Sequence, residues 1–235
     1  MLTLGNAATV RRTVAGLSLI AAPLFGLIGA ALLPAFTGGM EGELAFIAAH
    51  PTRWLTGLYL DLLAWPLMLV AMMSLLHLLR ERAAILGHIG GGLLLIGSFF
   101  HGAVLGFQFV EAPLVVSGIS HAQIVTFSEQ MYEHTAFTLL LMPFLSFYVG
   151  LVILAIALWR TQMVPLWVAG EIVAAVLVEF FGPSAFHTLL FLGLLLIAFG
   201  WIGLTVLRMS NAQWEHVQGD PLDRGALVGQ PVHVS

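Results

Sequence analysis

The 235-residue chain carries eight arginines, no lysine and 12 acidic residues, which gives a formal net charge of −4. Apolar residues fill 60% of its positions and charged residues only 9%, whereas a water-soluble domain has roughly a quarter charged residues. This composition excludes a chain that stays in solution alone and indicates a protein whose main solvent is lipid. The absence of cysteine excludes disulfides, thiolate metal sites and iron–sulfur clusters. The sequence also has no cluster of basic residues that would indicate a nucleic-acid partner.

Six apolar stretches are long enough to cross the ~30 Å hydrocarbon core, which takes ~20 helical residues. In chain order they are Thr13–Phe36, Leu55–Leu79, Ile85–Val110, Thr135–Leu158, Val164–Gly182 and Ala185–Leu207. The first is longer than the apolar region of a signal peptide and lacks a small-residue cleavage site, so it is predicted to be an uncleaved span. The sequence therefore predicts an all-α, polytopic membrane protein with six transmembrane helices in an antiparallel bundle over residues 1–209.

The arginines predict the orientation of this bundle. Six spans place successive loops on alternate sides of the membrane. Seven of the eight arginines lie in segments assigned to one side, and only Arg53 lies in a loop assigned to the other side. The positive-inside rule then places both termini in the cytoplasm. Lysine-free, alanine- and leucine-rich usage suggests a bacterial chain, and hence the plasma (inner) membrane. Residues 210–235 are polar, without an apolar period, and are predicted to be a flexible cytoplasmic tail.

Two segments on the outer side are predicted to be short helices at the membrane surface. Glu41–His50 is bounded by Pro51, which would end it. The segment over 120–134 opens with Ser120 and Gln123 at the spacing of a capping box, and apolar residues then recur at helical intervals. Both segments are predicted to lie along the bilayer before the next span begins.

Glycines predict a close helix crossing within the third span. Gly90, Gly91 and Gly92 are consecutive, with Gly87 and Gly97 nearby on the same helix. Small residues allow the backbones of two membrane helices to approach one another. We therefore expect a neighbouring helix to pack tightly against this segment.

Most ionisable side chains within the spans gather in the outer half of the bilayer, and Glu171 near mid-depth is the acid that departs from this layer. A charge at the bilayer centre costs ~2.5–3.5 kcal/mol on insertion scales, so such residues usually face the bundle interior. The depth of a residue in the bilayer follows from its distance to the end of its span, at ~1.5 Å per helical residue. By this count Asp61, His101 and Glu179 lie in the outer half, with His134 and His187 at its rim. These five residues are predicted to line one outward-facing pocket, with Asp61, His101 and Glu179 as proton donors or acceptors. Two simpler readings stay open: the rim histidines also suit the headgroup layer, and Asp61 and His101 also suit structural hydrogen bonds between helices.

The leading functional hypothesis is binding or conversion of a small, largely apolar ligand by acid–base chemistry. Membrane terpene cyclases, which act on isoprenoids, are similar in size, span layout and acid placement, so an enzyme of that class is one form of the hypothesis. Two alternatives from other classes remain open. One is a non-catalytic role in immunity or scaffolding, as part of a homo-oligomer or of a larger membrane complex. The other is a proton-coupled transporter.

A haem or metal protein is the last alternative, although the pattern does not require a cofactor. His88 and His101 lie 13 residues apart on one span, which resembles the spacing of haem ligands in cytochrome b helices, but no other span carries a matching pair. A single haem between His101 and His134 or His187 is allowed by residue type. So is a zinc or copper ion on His101, His134 and His187.

The C-terminal part of the chain resembles a known family. Trp159-Arg160, then Val164-Pro-Leu-Trp167, and later Gly193-Leu-Leu-Leu-Ile197 leading to Trp201-Ile-Gly203 are the residues that carry the resemblance. They are similar to the C-terminal part of a family of small bacterial six-helix integral membrane proteins with no assigned activity. The resemblance implies the six-span fold and brings no site residues with it.

Overall fold

The computed structural model describes residues 4–33, 39–181 and 186–215. Every regular element in these ranges is an α-helix, so the all-α class predicted from the sequence is confirmed. In chain order the helices are α1 (Leu4–Leu32), α2 (Gly39–Ala49), α3 (Pro51–Leu79), α4 (Ala84–Val116), α5 (His121–Glu133), α6 (Thr135–Arg160), α7 (Leu166–Phe181), α8 (His187–Arg208) and α9 (Asn211–Glu215).

Within the described ranges, five helices are long and apolar enough to cross a membrane, as expected of a membrane protein. They contain the segments Ala7–Leu32, Pro51–Leu79, Ala84–Val115, Met142–Arg160 and His187–Arg208. The fifth predicted span corresponds to α7, whose 16 residues rise only ~24 Å. That span was predicted to begin at Val164, but a turn occupies this position and the helix begins after Pro165. The predicted ends of the first and fifth spans and the predicted start of the sixth lie outside the described residues.

The long helices form a closed ring. Following the chain, α1, α3, α4, α6, α7 and α8 each pack against the next, and α8 packs back against α1. The helices α1 and α8 run in opposite directions, because Gly16 near the start of α1 faces Leu207 near the end of α8, whereas Gly26 faces Leu192 near the start of α8. The side chains between these helices form the main apolar core.

Glycines make the closest crossings in this ring. Three reciprocal pairs place a hypothetical Cβ on one glycine 2.6–3.2 Å from the carbonyl oxygen of the other: Gly16 with Gly203, Gly29 with Gly57, and Gly90 with Gly150. The close approach predicted for the third span is therefore confirmed at Gly90. At Gly92 nothing lies within 4 Å of a Cβ, so this glycine does not serve the crossing.

The short helices α2 and α5 pack at one end of the ring, which we call the α5 end. Together with parts of α3 and α4 they bury a second apolar cluster that includes Leu44, Ile47, Trp54 and Ile124. The predicted capping box of α5 is confirmed, since the Ser120 side chain accepts a hydrogen bond from the Gln123 backbone and the Gln123 side chain accepts one from the Ser120 backbone. Both predicted surface helices therefore form, but each also packs on the bundle.

The opposite end, which we call the α9 end, carries the start of the predicted flexible tail. Trp214 is only 3% exposed, and its ring stacks on His77 with 4.3 Å between centroids. The guanidinium of Arg80 donates a hydrogen bond to the backbone carbonyl of Glu215, and Arg11 forms a 2.6 Å ion pair with the Glu215 carboxylate. This first part of the tail is thus folded onto the bundle. The remainder, 216–235, lies outside the described residues.

Candidate ligand cavity

A cavity of about 280 Å³ lies inside the ring, with residues of all six ring helices in its wall. Along α1 it extends from Ala22 to Leu33, which corresponds to ~16 Å of helix. Because this volume is small for such a length, the cavity is narrow and elongated. The end nearer α5 lies beside Leu33 and Gln108, and the deeper end lies beside Ala22, Met68 and Leu195.

The polar part of the cavity wall contains three of the five residues predicted from the sequence. The polar side chains in the wall are Asp61, His101, Gln108, Tyr148, Glu179 and Thr188. Asp61 comes from α3, His101 from α4 and Glu179 from α7, so three different helices bring these groups to one space. No arginine in the described part of the chain lines this cavity, and the chain has no lysine.

Asp61 and His101 form the first polar contact of the wall. Nε2 of His101 lies 3.5 Å from Oδ2 of Asp61, which gives an ion pair when the imidazole is protonated. Trp65 supports both groups: its indole N–H donates a 3.2 Å hydrogen bond to Oδ1 of Asp61, and its ring stacks on the imidazole with 3.9 Å between centroids. Asp61 and Trp65 are four residues apart on α3 and therefore share one helix face. Trp65 thus fixes the orientation of the pair.

Glu179 and Tyr148 form the second contact. The Tyr148 hydroxyl donates a 3.4 Å hydrogen bond to Oε1 of Glu179. The other oxygen, Oε2, is buried and has no hydrogen-bond partner within the described part of the chain. His101 and His187 both lie close enough to interact electrostatically with this carboxyl group. Glu179 therefore presents one buried acceptor that a donor in the cavity can satisfy.

The two predicted rim histidines are placed differently. His187 is the first residue of α8; it is half-buried, lies near Glu179 and does not line the cavity itself. His134 is exposed and follows the last residue of α5, so it is not part of the wall. Counting residues along a span gives the height of a side chain in the bilayer. It does not give the direction in which that side chain points around the bundle.

The alternative metal site is not assembled in this structure. Across the described ranges, no group of three or more His, Cys, Asp or Glu side chains is close enough to hold a metal ion. His101, His134 and His187 form no such group, and of these three only His101 lines the cavity. The residues present therefore do not fit a zinc or copper site built from this trio.

Two residues of the wall were not expected from the sequence. Trp65 lies one helical turn after Asp61, and this i, i+4 spacing was the available signal. Tyr148 stands among many aromatic residues of α6, and its hydroxyl gave no spacing to a known partner. Both contact residues that were predicted from the sequence. Trp65 hydrogen-bonds Asp61 and stacks on His101, and Tyr148 hydrogen-bonds Glu179.

A further buried acid lies near the α5 end. Glu111 is only 5% exposed, and its carboxyl group interacts with that of Glu43 in α2. Burial raises the pKa of the Glu43 carboxyl, and the hydrogen bond with Glu111 offsets part of this effect. The third span was predicted to end at Val110, before this acid, but α4 continues to Val116 because α2 and α5 cover its last turns. Two carboxyl groups can share a hydrogen bond only when one of them carries a proton.

Comparison of the chain with protein-family models, with curated proteins and with solved structures found no match. The resemblance of the C-terminal part to a six-helix family stays a prediction.

Proposed function

We propose that the chain is a multi-pass membrane protein that binds a small, largely apolar ligand in its central cavity and converts it by acid–base chemistry. The observation that carries this proposal is that Asp61, His101 and Glu179, from three helices, line one otherwise mainly apolar cavity. Carboxyl groups far inside a bundle are costly to hold unless they have a partner or a task. Polar interactions are also stronger between apolar walls than in water.

The contacts suggest a division of roles among these three residues. His101 lies beside Asp61 and can exchange a proton with it, while the Trp65 indole holds Asp61 in place. Glu179 keeps one carboxyl oxygen without a hydrogen bond in the described structure, which makes it the group best placed to act on a ligand. A carboxyl and an imidazole with different surroundings can serve as acid and base in one reaction.

The arginines support a six-span bundle in the inner membrane with the α9 end in the cytoplasm. Arg11 and Arg80 contact α9, and Arg82 donates a 3.2 Å hydrogen bond to the carbonyl of Thr161 in the turn between α6 and α7. These cations therefore lie at one end of the ring. By the positive-inside rule this end faces the cytoplasm, so the polar end of the cavity faces outward. The short helix α7 completes the six spans because it closes the ring.

The two other classes of function predict different properties. A proton-coupled transporter needs polar groups along the whole path, whereas the deeper wall of the cavity is formed by Ala22, Met68 and Leu195. A non-catalytic subunit needs no ligand in the cavity at all. Detection of a bound small molecule therefore separates the proposed function from a scaffold or immunity role.

The test is to isolate the full chain in mild detergent and identify small molecules that leave with it on organic extraction. We expect an apolar compound in the wild type, with its occupancy reduced severalfold in His101→Gln and Glu179→Gln. Glu171→Gln is the matched control, because Glu171 is an acid of the same helix that does not line the cavity. A wild-type sample that carries no compound and takes up no added apolar probe contradicts the proposal. An absorption spectrum and metal analysis of the same sample test the haem and metal alternatives.

A further inference from the structure

The cavity wall has an excess of acidic groups. Among the residues that the structure describes, it contains the carboxyl groups of Asp61 and Glu179 and a single imidazole, that of His101. The chain has no lysine, and no arginine of the described ranges lines this space. When both carboxyl groups are ionised, a protonated His101 balances only one of them; His187 lies near Glu179 but does not line the cavity. Because a buried, unpaired carboxylate is strongly disfavoured, a cation that bound beside these two groups would stabilise their ionised forms and would itself be stabilised.

The same wall is rich in aromatic rings. Trp65, Phe144, Phe147, Tyr148 and Phe191 all line the cavity. The face of an aromatic ring attracts cations, and the attraction is stronger away from water. An ammonium group here would lie close to carboxyl oxygens and to aromatic side chains. A neutral apolar ligand would gain from the rings but would leave Oε2 of Glu179 without a donor.

The shape of the cavity restricts the rest of the ligand. Its polar groups lie toward the α5 end, and its deeper wall is formed by Ala22, Met68 and Leu195. The volume of about 280 Å³ equals that of about nine waters at ~30 Å³ each. A ligand that fits has a single polar head and a slender apolar tail directed toward the α9 end.

We propose that the cavity takes a small lipophilic amine in its ammonium form, with the charged head between Asp61 and Glu179 and the apolar tail in the deeper part. This inference rests on the proposed function and specifies the ligand class of the same site. The ammonium donates a hydrogen bond to Oε2 of Glu179. The other side of the ammonium group lies near the Asp61 carboxylate and the Trp65 side chain.

Three probes of matched length test this inference: phenylbutylamine, phenylbutanol and phenylbutyrate, titrated by calorimetry into the full chain in lipid nanodiscs. A charge-assisted hydrogen bond in a buried site should make the amine bind about 10- to 100-fold more tightly than the alcohol. The carboxylate should bind most weakly of the three. Glu179→Gln should lower the affinity for the amine about tenfold or more, and it should leave the affinity for the alcohol almost unchanged. Glu171→Gln should leave both unchanged.

The outcomes separate this inference from the function on which it rests. If the alcohol binds as tightly as the amine, the cavity holds neutral ligands; the amine inference is then wrong and the proposed function stands. If none of the three probes binds to a chain that is folded by circular dichroism and that carries no extractable compound, both are contradicted. The comparison of probes on the wild type decides the matter even if Glu179→Gln does not fold.

Discussion

The crossing of α4 and α6 offers a sharp test of the helix packing, because α4 contains two glycines with opposite surroundings. A Cβ added at Gly97 would lie 2.5 Å from Cβ and backbone N of Phe147 and 2.7 Å from its Cα. A Cβ added at Gly92, on the same helix, would meet nothing within 4 Å. The matched variants Gly97→Ala and Gly92→Ala therefore add the same methyl group to a closed and to an open position.

The expected difference in unfolding free energy follows from these distances. Ordinary van der Waals contact lies at 3.4–4 Å, so α4 and α6 must separate by about 1 Å around Gly97. Overpacking of this kind costs ~1–3 kcal/mol, and the upper part applies because backbone atoms cannot rotate away. Alanine gains at most ~1 kcal/mol over glycine as a helix former. We expect Gly97→Ala to be destabilised by about 1–2 kcal/mol, and Gly92→Ala to be unchanged or stabilised by up to ~1 kcal/mol.

The measurement is equilibrium unfolding of the purified variants in mixed detergent micelles with increasing dodecyl sulfate, followed by circular dichroism. Gly150→Ala gives an independent check, because its Cβ would lie 2.6 Å from the carbonyl oxygen of Gly90 on the facing helix. It should resemble Gly97→Ala. Equal unfolding midpoints for Gly97→Ala and Gly92→Ala would show that α4 and α6 do not cross as closely as described here.

Three further predictions concern the ends of the ring. Because burial raises the pKa of Glu43 above its usual value of about 4.5, docking of α2 should be strongest in acid and weaken as the pH rises through the raised pKa. Hydrogen exchange in α2, corrected for its intrinsic pH dependence, should therefore accelerate toward neutral pH in the wild type and in Glu41→Gln. The acceleration should be smaller in Glu43→Gln, in which Glu111 is the remaining buried acid, and the same profile in all three would contradict this. Ser120→Ala removes the cap of α5 and should cost about 1 kcal/mol, seen as faster exchange in its first turn, whereas unchanged protection would argue against the capping box. Trp214→Ala should release α9 and open 211–215 to proteolysis, and an unaltered cleavage rate would mean that the stacked ring does not hold this segment.

The helices themselves could be predicted from the sequence, because length, apolar runs and a capping box are local signals. The boundaries failed where tertiary contacts decide them. An acid and Pro113 follow Val110, which indicates the end of a span, yet α4 continues because α2 and α5 bury that turn. The first residues of the tail look like loop in isolation, but Trp214 packs on His77 and folds them.

The candidate site could be predicted in part, for a physical reason. Asp61, His101 and Glu179 were recognisable because a titratable group within an apolar span needs an explanation. Trp65 and Tyr148 were missed because aromatic residues do not stand out in an apolar helix. The pair of Glu43 and Glu111 joins two distant segments, and the order of residues along the chain does not reveal such a contact.

The most direct test of the central claim is the accessibility of a single introduced thiol, since the chain has no cysteine. Val104→Cys places it in the cavity wall, and Phe99→Cys, at a position 74% exposed on the outside of the ring, serves as the lipid-facing control. In sealed, oriented vesicles we expect a membrane-impermeant maleimide to label Val104→Cys from the side opposite the N terminus and to leave Phe99→Cys unlabelled. Labelling of Val104→Cys from the N-terminal side, or by membrane-soluble reagents only, would contradict a water-accessible cavity that opens at the α5 end.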